Sequence, residues 1–591
     1  MKNMLIQVSQ FLALAGLLLF SIPSIAQSIE LDKVGRNGFK GVQKLDDKGY
    51  YIQYEETNAN PRTVKLIILD NSLVLVNEIK LELKADDKIE DLAYNGGNFM
   101  FIKSNRKEKT RTYKILDKQG KEIASKVLTE VASRLLYKPA MITPIEQTDF
   151  LVINYTKDKK VGYSLERFND KLESKYMQII EPEKKRLYPV DYLVSGNILY
   201  VLEFIAADMS DYFEYHVAGY TLVDGKQLFN NYLKSADEKT FGYPTFLRLA
   251  SEGNIVTGGM YFNGPREGDA TSDGLFTALI DPAGKMNYQY KTWKDVEAKV
   301  KEGNNTNGIW GGKTKTFIHD IVVNNDGTFT LVSENFRVGD EALAGGKNKT
   351  LGTLTKINSM SGNDSAPSYD AVTVSEFVLF DFNKENTLTA VRKLDKPASV
   401  TVVKGTSDAN DQPYIGQGRG LNLANILNNK GYFPYKFTAD KNGEKVLVYQ
   451  FTYEKLYKEK LFFTKLNATT TDTTSMDITN SITKVEQELD AATTQKLGKL
   501  GSLSKKLDKA TGTDIQNTHY LRGSDDPQDY RSRSLNTRLS SSNVSGKILI
   551  YDFVPELTGD ANQKKGMLAK YNESMNNAIN AKLKVWYIVI P

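Results

Sequence analysis

The 591-residue chain has no cysteine. Disulfides, thiol nucleophiles and thiolate metal sites are therefore excluded, and so is lipid attachment at a processed N-terminal cysteine. Histidine is nearly as scarce. His216, His319 and His519 are the complete set, so imidazole-based catalysis has few players to draw on. Charge of one sign is not in surplus either: 77 Lys and Arg face 72 Asp and Glu, a net +5, which argues against a nucleic-acid partner. No G-x-S-x-G elbow, H-E-x-x-H pair or phosphate loop occurs. Gly416, Gly418 and Gly420 are spaced like a nucleotide-binding loop, but no parallel strand precedes them, and they read as a connecting loop. Beyond residue 26 no apolar stretch reaches the roughly 20 residues a membrane span needs.

What is present begins with an export signal. Lys2 gives a short basic start, FLALAGLLLF from Phe11 to Phe20 gives the apolar stretch, and Ser24 and Ala26 precede a suitable cut. The mature chain is expected to begin at Gln27 or Ser28, periplasmic or outside the cell and free of transmembrane segments. A retained anchor is the alternative, opposed by the shortness of the run and by Pro23. Without disulfides the exported chain must be held by its own core, for which its length is ample.

A tight turn followed by an apolar strand recurs eight times: GYYIQYEE from Gly49, GNFMFIKS from Gly97, DFLVINYT from Asp149, GNILYVLEF from Gly196, GNIVTGGMYF from Gly253, GTFTLVSENF from Gly327, GEKVLVYQF from Gly443 and GKILIYDF from Gly546. Seven open on glycine, which tolerates the positive φ that two-strand turns require. A second strand pair follows and a short strand precedes, as in KIEDLAY from Lys88 and FIHDIVV from Phe317. Four-stranded units repeated eight times predict an all-β, eight-bladed β-propeller over residues 27–590. The blades are expected at 39–84, 88–131, 141–180, 188–233, 243–293, 316–396, 432–479 and 536–590. Seven blades plus an accessory C-terminal sheet is the main alternative, and a pair of β-sandwiches is disfavoured by the repeat. The signal segment and the repeat resemble exported Gram-negative propeller proteins without a characterised activity. No WD, kelch or Asp-box signature assigns a named propeller family.

Successive connections in a propeller alternate between its two ends. The long segments, 264–273, 294–315, 339–373, 397–431 and 480–534, all share one parity, so they are expected to decorate one end over blades five to eight. Loops on a rigid scaffold commonly carry binding or catalytic groups; covering exposed sheet ends is the other use. Residues 480–510 carry leucines at helical spacing and predict one amphipathic helix that packs on the propeller.

Candidate ligand-binding residues form two sets. Asp91, Asp191 and Asp320 stand at the same place near the start of innermost strands, with His319 beside the last. Carboxylates converging on a channel would hold a hard cation or a cationic ligand; accepting backbone hydrogen bonds is the plainer role. Trp310, Tyr414 and Tyr520, near Arg419, Arg522 and Asp525, lie in the insertions, where rings would stack on a sugar or grip a peptide, or else hold the loops together. No metal or cofactor is assigned. The leading expectation is a non-enzymatic binding or scaffold propeller for a glycan, peptide or protein ligand. A glycan- or peptide-acting enzyme, using Asp525, Asp526 or the channel aspartates, is the second reading, and a subunit of a cell-envelope complex the third.

Overall fold

The second strand of a blade, such as Phe99–Asn105 or Ile255–Asn263, is buried on both faces, so each blade packs between two neighbours, and the computed structural model closes these blades into a ring. It describes residues 28–35, 39, 41–45, 47–131, 139–145, 148–156, 161–182, 186–206, 213–264, 272–299, 315–338, 369–396, 399–404, 428, 433–453, 458–467, 473–478, 518–521, 539–555 and 581–591. Eight antiparallel sheets of at least four strands follow one another, the expected eight-bladed β-propeller. Blade two shows the plan: Asp87–Tyr94 innermost, then Phe99–Asn105, Thr110–Leu116 and Glu122–Leu128 outermost. The short α-helix Trp293–Glu297 follows blade five, started by a reciprocal cap between Thr292 and Asp295.

Large apolar side chains fill every space between blades. Leu66, Phe99 and Leu116 pack blade one on two; Ile142, Phe150 and Tyr113 pack two on three. Around the far side, Leu447 and Phe377 join six to seven, and Val448 and Ile548 join seven to eight. Leu549, Leu583 and Val585 then meet Val42, Tyr50 and Ile52 of blade one. Blade eight is thus packed on both faces, which excludes an accessory sheet outside a seven-bladed ring.

The last blade departs from the sequence reading. Residues 536–590 were expected to supply all four of its strands, but among the described residues they supply three: Leu539–Ser541, Lys547–Pro555 and Ala581–Val589. The outermost strand is Ser28–Leu31, from the other end of the chain, paired with Ser28 opposite Trp586 and Leu31 opposite Leu583. A further long connection, from Pro555 to Ala581, separates the second and third strands. The seam is also tied by polar groups: Asn543 N–H donates to Tyr50 Oη at 2.7 Å, and Tyr587 Oη donates to the Asn71 carbonyl at 2.8 Å and lies 3.0 Å from Tyr50 Oη.

Blade six is the most extended. Its third strand, Tyr369–Phe382, outruns its blade, and the overhanging half pairs with Ser399–Lys404, which in turn pairs in parallel with Thr518–Leu521. Segments read from sequence as parts of three separate insertions therefore form one sheet above blade six. Tyr520, expected in a loop, is in a strand.

Candidate functional site

The end of blade six from which this extension rises holds a buried charged cluster. His319 occupies a bulge in the innermost strand Lys315–Val323, where the pairing skips from Ile318 to Asp320. Glu334 comes from the second strand, Phe329–Val338, and Lys396 lies two residues beyond the fourth, Leu388–Leu394. Glu334 Oε2 is 2.8 Å from His319 Nε2, and its Oε1 is 3.0 Å from Lys396 Nζ. All three side chains are essentially sealed from solvent, at 0% exposure for Glu334 and Lys396 and 2% for His319. Both contacts are at hydrogen-bond distance, with His319 Nε2, Glu334 Oε1 and Lys396 Nζ each off the ideal direction.

Aromatic rings complete the enclosure. Phe317, Phe433 and Tyr435 surround the imidazole with centroids 4.9, 5.1 and 5.1 Å away. Lys396 Nζ lies 5.3 Å from the Phe377 ring centre and 5.6 Å from that of Phe451. Phe433, Tyr435 and Phe451 belong to blade seven, so the cluster sits between blades. Burial pushes the Glu334 carboxyl upward, but Lys396 and His319 outweigh it and hold the group below the ordinary glutamate value. Burial draws the Lys396 ammonium down, with Glu334 opposing.

A second buried glutamate occupies the matching place in blade four. Glu203 and Glu334 each stand seven residues after the turn glycine, Gly196 and Gly327. Glu203 Oε1 accepts hydrogen bonds from Tyr163 Oη and, at 2.9 Å, from Tyr220 Oη; its Oε2 is 3.6 Å from His216 Nδ1. Here no lysine is near, and burial, opposed by the two tyrosines, raises its pKa. The native state therefore keeps a proton that the unfolded chain has released, so this contribution is complete below the unfolded value and is lost as pH rises through the folded one. Glu203→Gln is expected to flatten that decline, measured by urea unfolding between about pH 4 and pH 8. An unchanged slope would show that Glu203 titrates as in the unfolded chain.

The repeated aspartates act between blades. Asp91 accepts the Ile142 N–H of blade three at 2.8 Å, and Asp191 accepts the Leu247 N–H of blade five at 2.9 Å. Burial raises the Asp191 pKa, with the backbone N–H groups of Leu247 and Tyr192 opposing. Asp320 accepts from Arg248 Nη2 of blade five at 2.7 Å and from Tyr435 Oη of blade seven at 3.3 Å. Among the described residues no three His, Asp or Glu side chains are arranged to hold a metal ion. Trp310, Tyr414, Arg419, Arg522 and Asp525, with the expected helix at 480–510, lie outside the described residues, as does the side chain of Tyr520. The buried set of Glu334 and Lys396 was missed, although the repeated Gly-plus-seven glutamate was a readable signal.

A family described as a family of unknown function, DUF6770, matches residues 6–486. The chain belongs to the DUF6770 family. No curated protein matches this family member. Among solved structures it is similar to an oligogalacturonate lyase in complex with manganese, at 10% identity and TM-score 0.34 over 92% of this chain and 98% of that one. A periplasmic gluconolactonase of Pseudomonas aeruginosa gives 10% and 0.28 over 61% and 86%. A member of the DUF4221 family from Bacteroides vulgatus gives 9% and 0.24 over 62% and 85%. No chemistry of the DUF6770 chain follows from likenesses this distant.

Proposed function

We propose that this is an exported binding or scaffold propeller that engages a glycan, peptide or protein ligand at the end of the ring above blades five to eight. One observation carries the reading: the sheet of blade six continues beyond its blade as Tyr369–Val374, Ser399–Lys404 and Thr518–Leu521, joining segments from different connections into one platform. Such an extension adds nothing to the closure of the ring, whose blades are already packed on both faces. Its root is fixed by the Lys396–Glu334 pair. A rigid platform with elaborated connections around it suits recognition, and the N-terminal signal supports a periplasmic or extracellular ligand.

The test uses purified mature protein on glycan and peptide arrays, beside two variants. Thr401→Pro removes a ladder donor from the middle of Ser399–Lys404 and is expected to abolish binding while the melting temperature of the ring barely changes. Asn324→Ala, in the tight turn at the opposite end where Asn324 Nδ2 donates to Thr328 Oγ1 at 2.9 Å, is expected to lower stability by about 1 kcal/mol and spare binding. Binding retained by the first variant and lost by the second would put the site at the other end. Turnover of an arrayed compound would replace binding by catalysis.

A further inference from the structure

On the far side of the ring, three blades from the platform, a groove of about 480 Å³ opens on blade one. One wall is Lys33, the link between the closing strand Ser28–Leu31 and blade one; the other is the turn from Thr57 to Pro61, with Lys80 of the outer strand Leu75–Leu83 beside it. That turn connects the second and third strands, so the groove faces the same end of the ring as the long connections.

The walls are built to hold their shape. The Lys33 carbonyl accepts the Thr57 N–H at 2.9 Å, which ties one wall to the other. Lys33 and Asn58 both adopt left-handed backbone, at φ 55° and 59°, a conformation that non-glycine residues take up at a cost. Thr63 forms a buried floor, 8% exposed, with its hydroxyl donating to the Pro61 carbonyl at 2.9 Å.

The lining chemistry selects a ligand class. Glu56, the one carboxylate among the described lining residues, is engaged by Lys65 at 3.3 Å. Lys80 is 63% exposed and meets Glu78 only at 3.6 Å, and Lys33 makes no ion pair among the described residues. The ammonium of Lys33 and the largely exposed one of Lys80 thus stand beside the amides of Asn58 and Asn60. Among the described residues no aromatic ring lines the groove, so no described side chain there would stack on a planar ligand, and the polar lining does not suit a lipid. We infer that this groove binds a small hydroxylated carboxylate, its charge taken by Lys33 and Lys80 and its hydroxyls by the amide turn. Because Lys33 roots the closing strand and Lys80 belongs to blade one, an occupant bridges the seam, and occupancy stabilises the closed ring by mass action.

Tartrate serves as the probe, with erythritol as a neutral polyol of the same carbon number and sulfate as an anion at matched ionic strength. Mature protein is expected to show a saturable rise in melting temperature with tartrate alone, together with slower amide hydrogen exchange over residues 28–35. The double variant Lys33→Gln/Lys80→Gln should bind tartrate about tenfold more weakly or worse by calorimetry. An equal effect of erythritol or sulfate, no saturable effect of tartrate, or unchanged affinity in the double variant overturns the inference. None of these outcomes bears on the platform above blade six, whose variants are read separately.

Discussion

Deleting Ser28–Leu31 is expected to convert a cooperatively unfolding protein into one that aggregates on concentration. Four residues are removed, yet the loss is large, because they are the outermost strand of blade eight and carry Leu31, 8% exposed, into the core that joins blades eight and one. Without them the edge of Ala581–Val589 is left with unpaired backbone groups, a template for another chain. Leu31→Ala is the gentler version, expected to lower stability by about 2–5 kcal/mol as buried leucine truncations do. Size-exclusion chromatography and urea unfolding of both variants make the comparison. A deletion variant that stays monomeric with an unchanged midpoint would show that the ring closes without its N-terminal strand.

The second large effect is expected from Lys396→Met. It leaves Glu334 fully buried with only His319 in ion-pair range, and breaking a buried pair from one side costs about 3–5 kcal/mol. Replacing both partners, as Glu334→Leu/Lys396→Met, should recover most of that loss, because an apolar pair demands no desolvated charge. The pH dependence has a definite sign. Glu334 is depressed in the fold, so its contribution is present above the unfolded glutamate value and disappears as pH falls through the folded one. Lys396 is depressed too, so its unfavourable burial is felt below its folded value and is relieved as pH rises toward the ordinary lysine range. Both slopes make stability rise with pH, and Lys396→Met should shift the acid loss to higher pH. A single variant as stable as the wild type would mean that the lysine contributes no net stabilisation to the pair.

The ring was legible because its signal is local and repeated. GNILYVLEF and GTFTLVSENF each state a turn and a buried strand within ten residues, and eight such statements leave little freedom of fold. The closing strand was not legible: SIEL is too short to show a period, and its partner is LKVW, more than five hundred residues away. The aspartates were legible as a repeat, whereas their partners were not. A bulge at Ile89–Asp91, and likewise at Pro189–Asp191 and Ile318–Asp320, inserts one residue and reverses which side of the strand follows. Asp91 and Asp191 consequently serve the backbone of the next blade, and Asp320 an arginine and a tyrosine on either side. Lys396 gave no signal at all, because nothing in KLDKPAS distinguishes a sealed lysine from a solvated one.

The pairing of Ser28–Leu31 with Ala581–Val589 also sets the order of events in time. The closing strand is made before blades one to seven, and the strand it needs is made after them. Blades two to seven are each assembled from contiguous strands and are free to form as they appear, whereas the seam waits for nearly the whole chain. Through that interval the packing faces of blades one and seven have no blade eight to cover them. Closure is then a contact of very high sequence separation, the kind that slows folding most. Holding Ser28–Leu31 apart until Ala581–Val589 has been made therefore becomes a requirement on whatever handles the unfinished ring, and the four residues that close it act as a timer as much as a clasp.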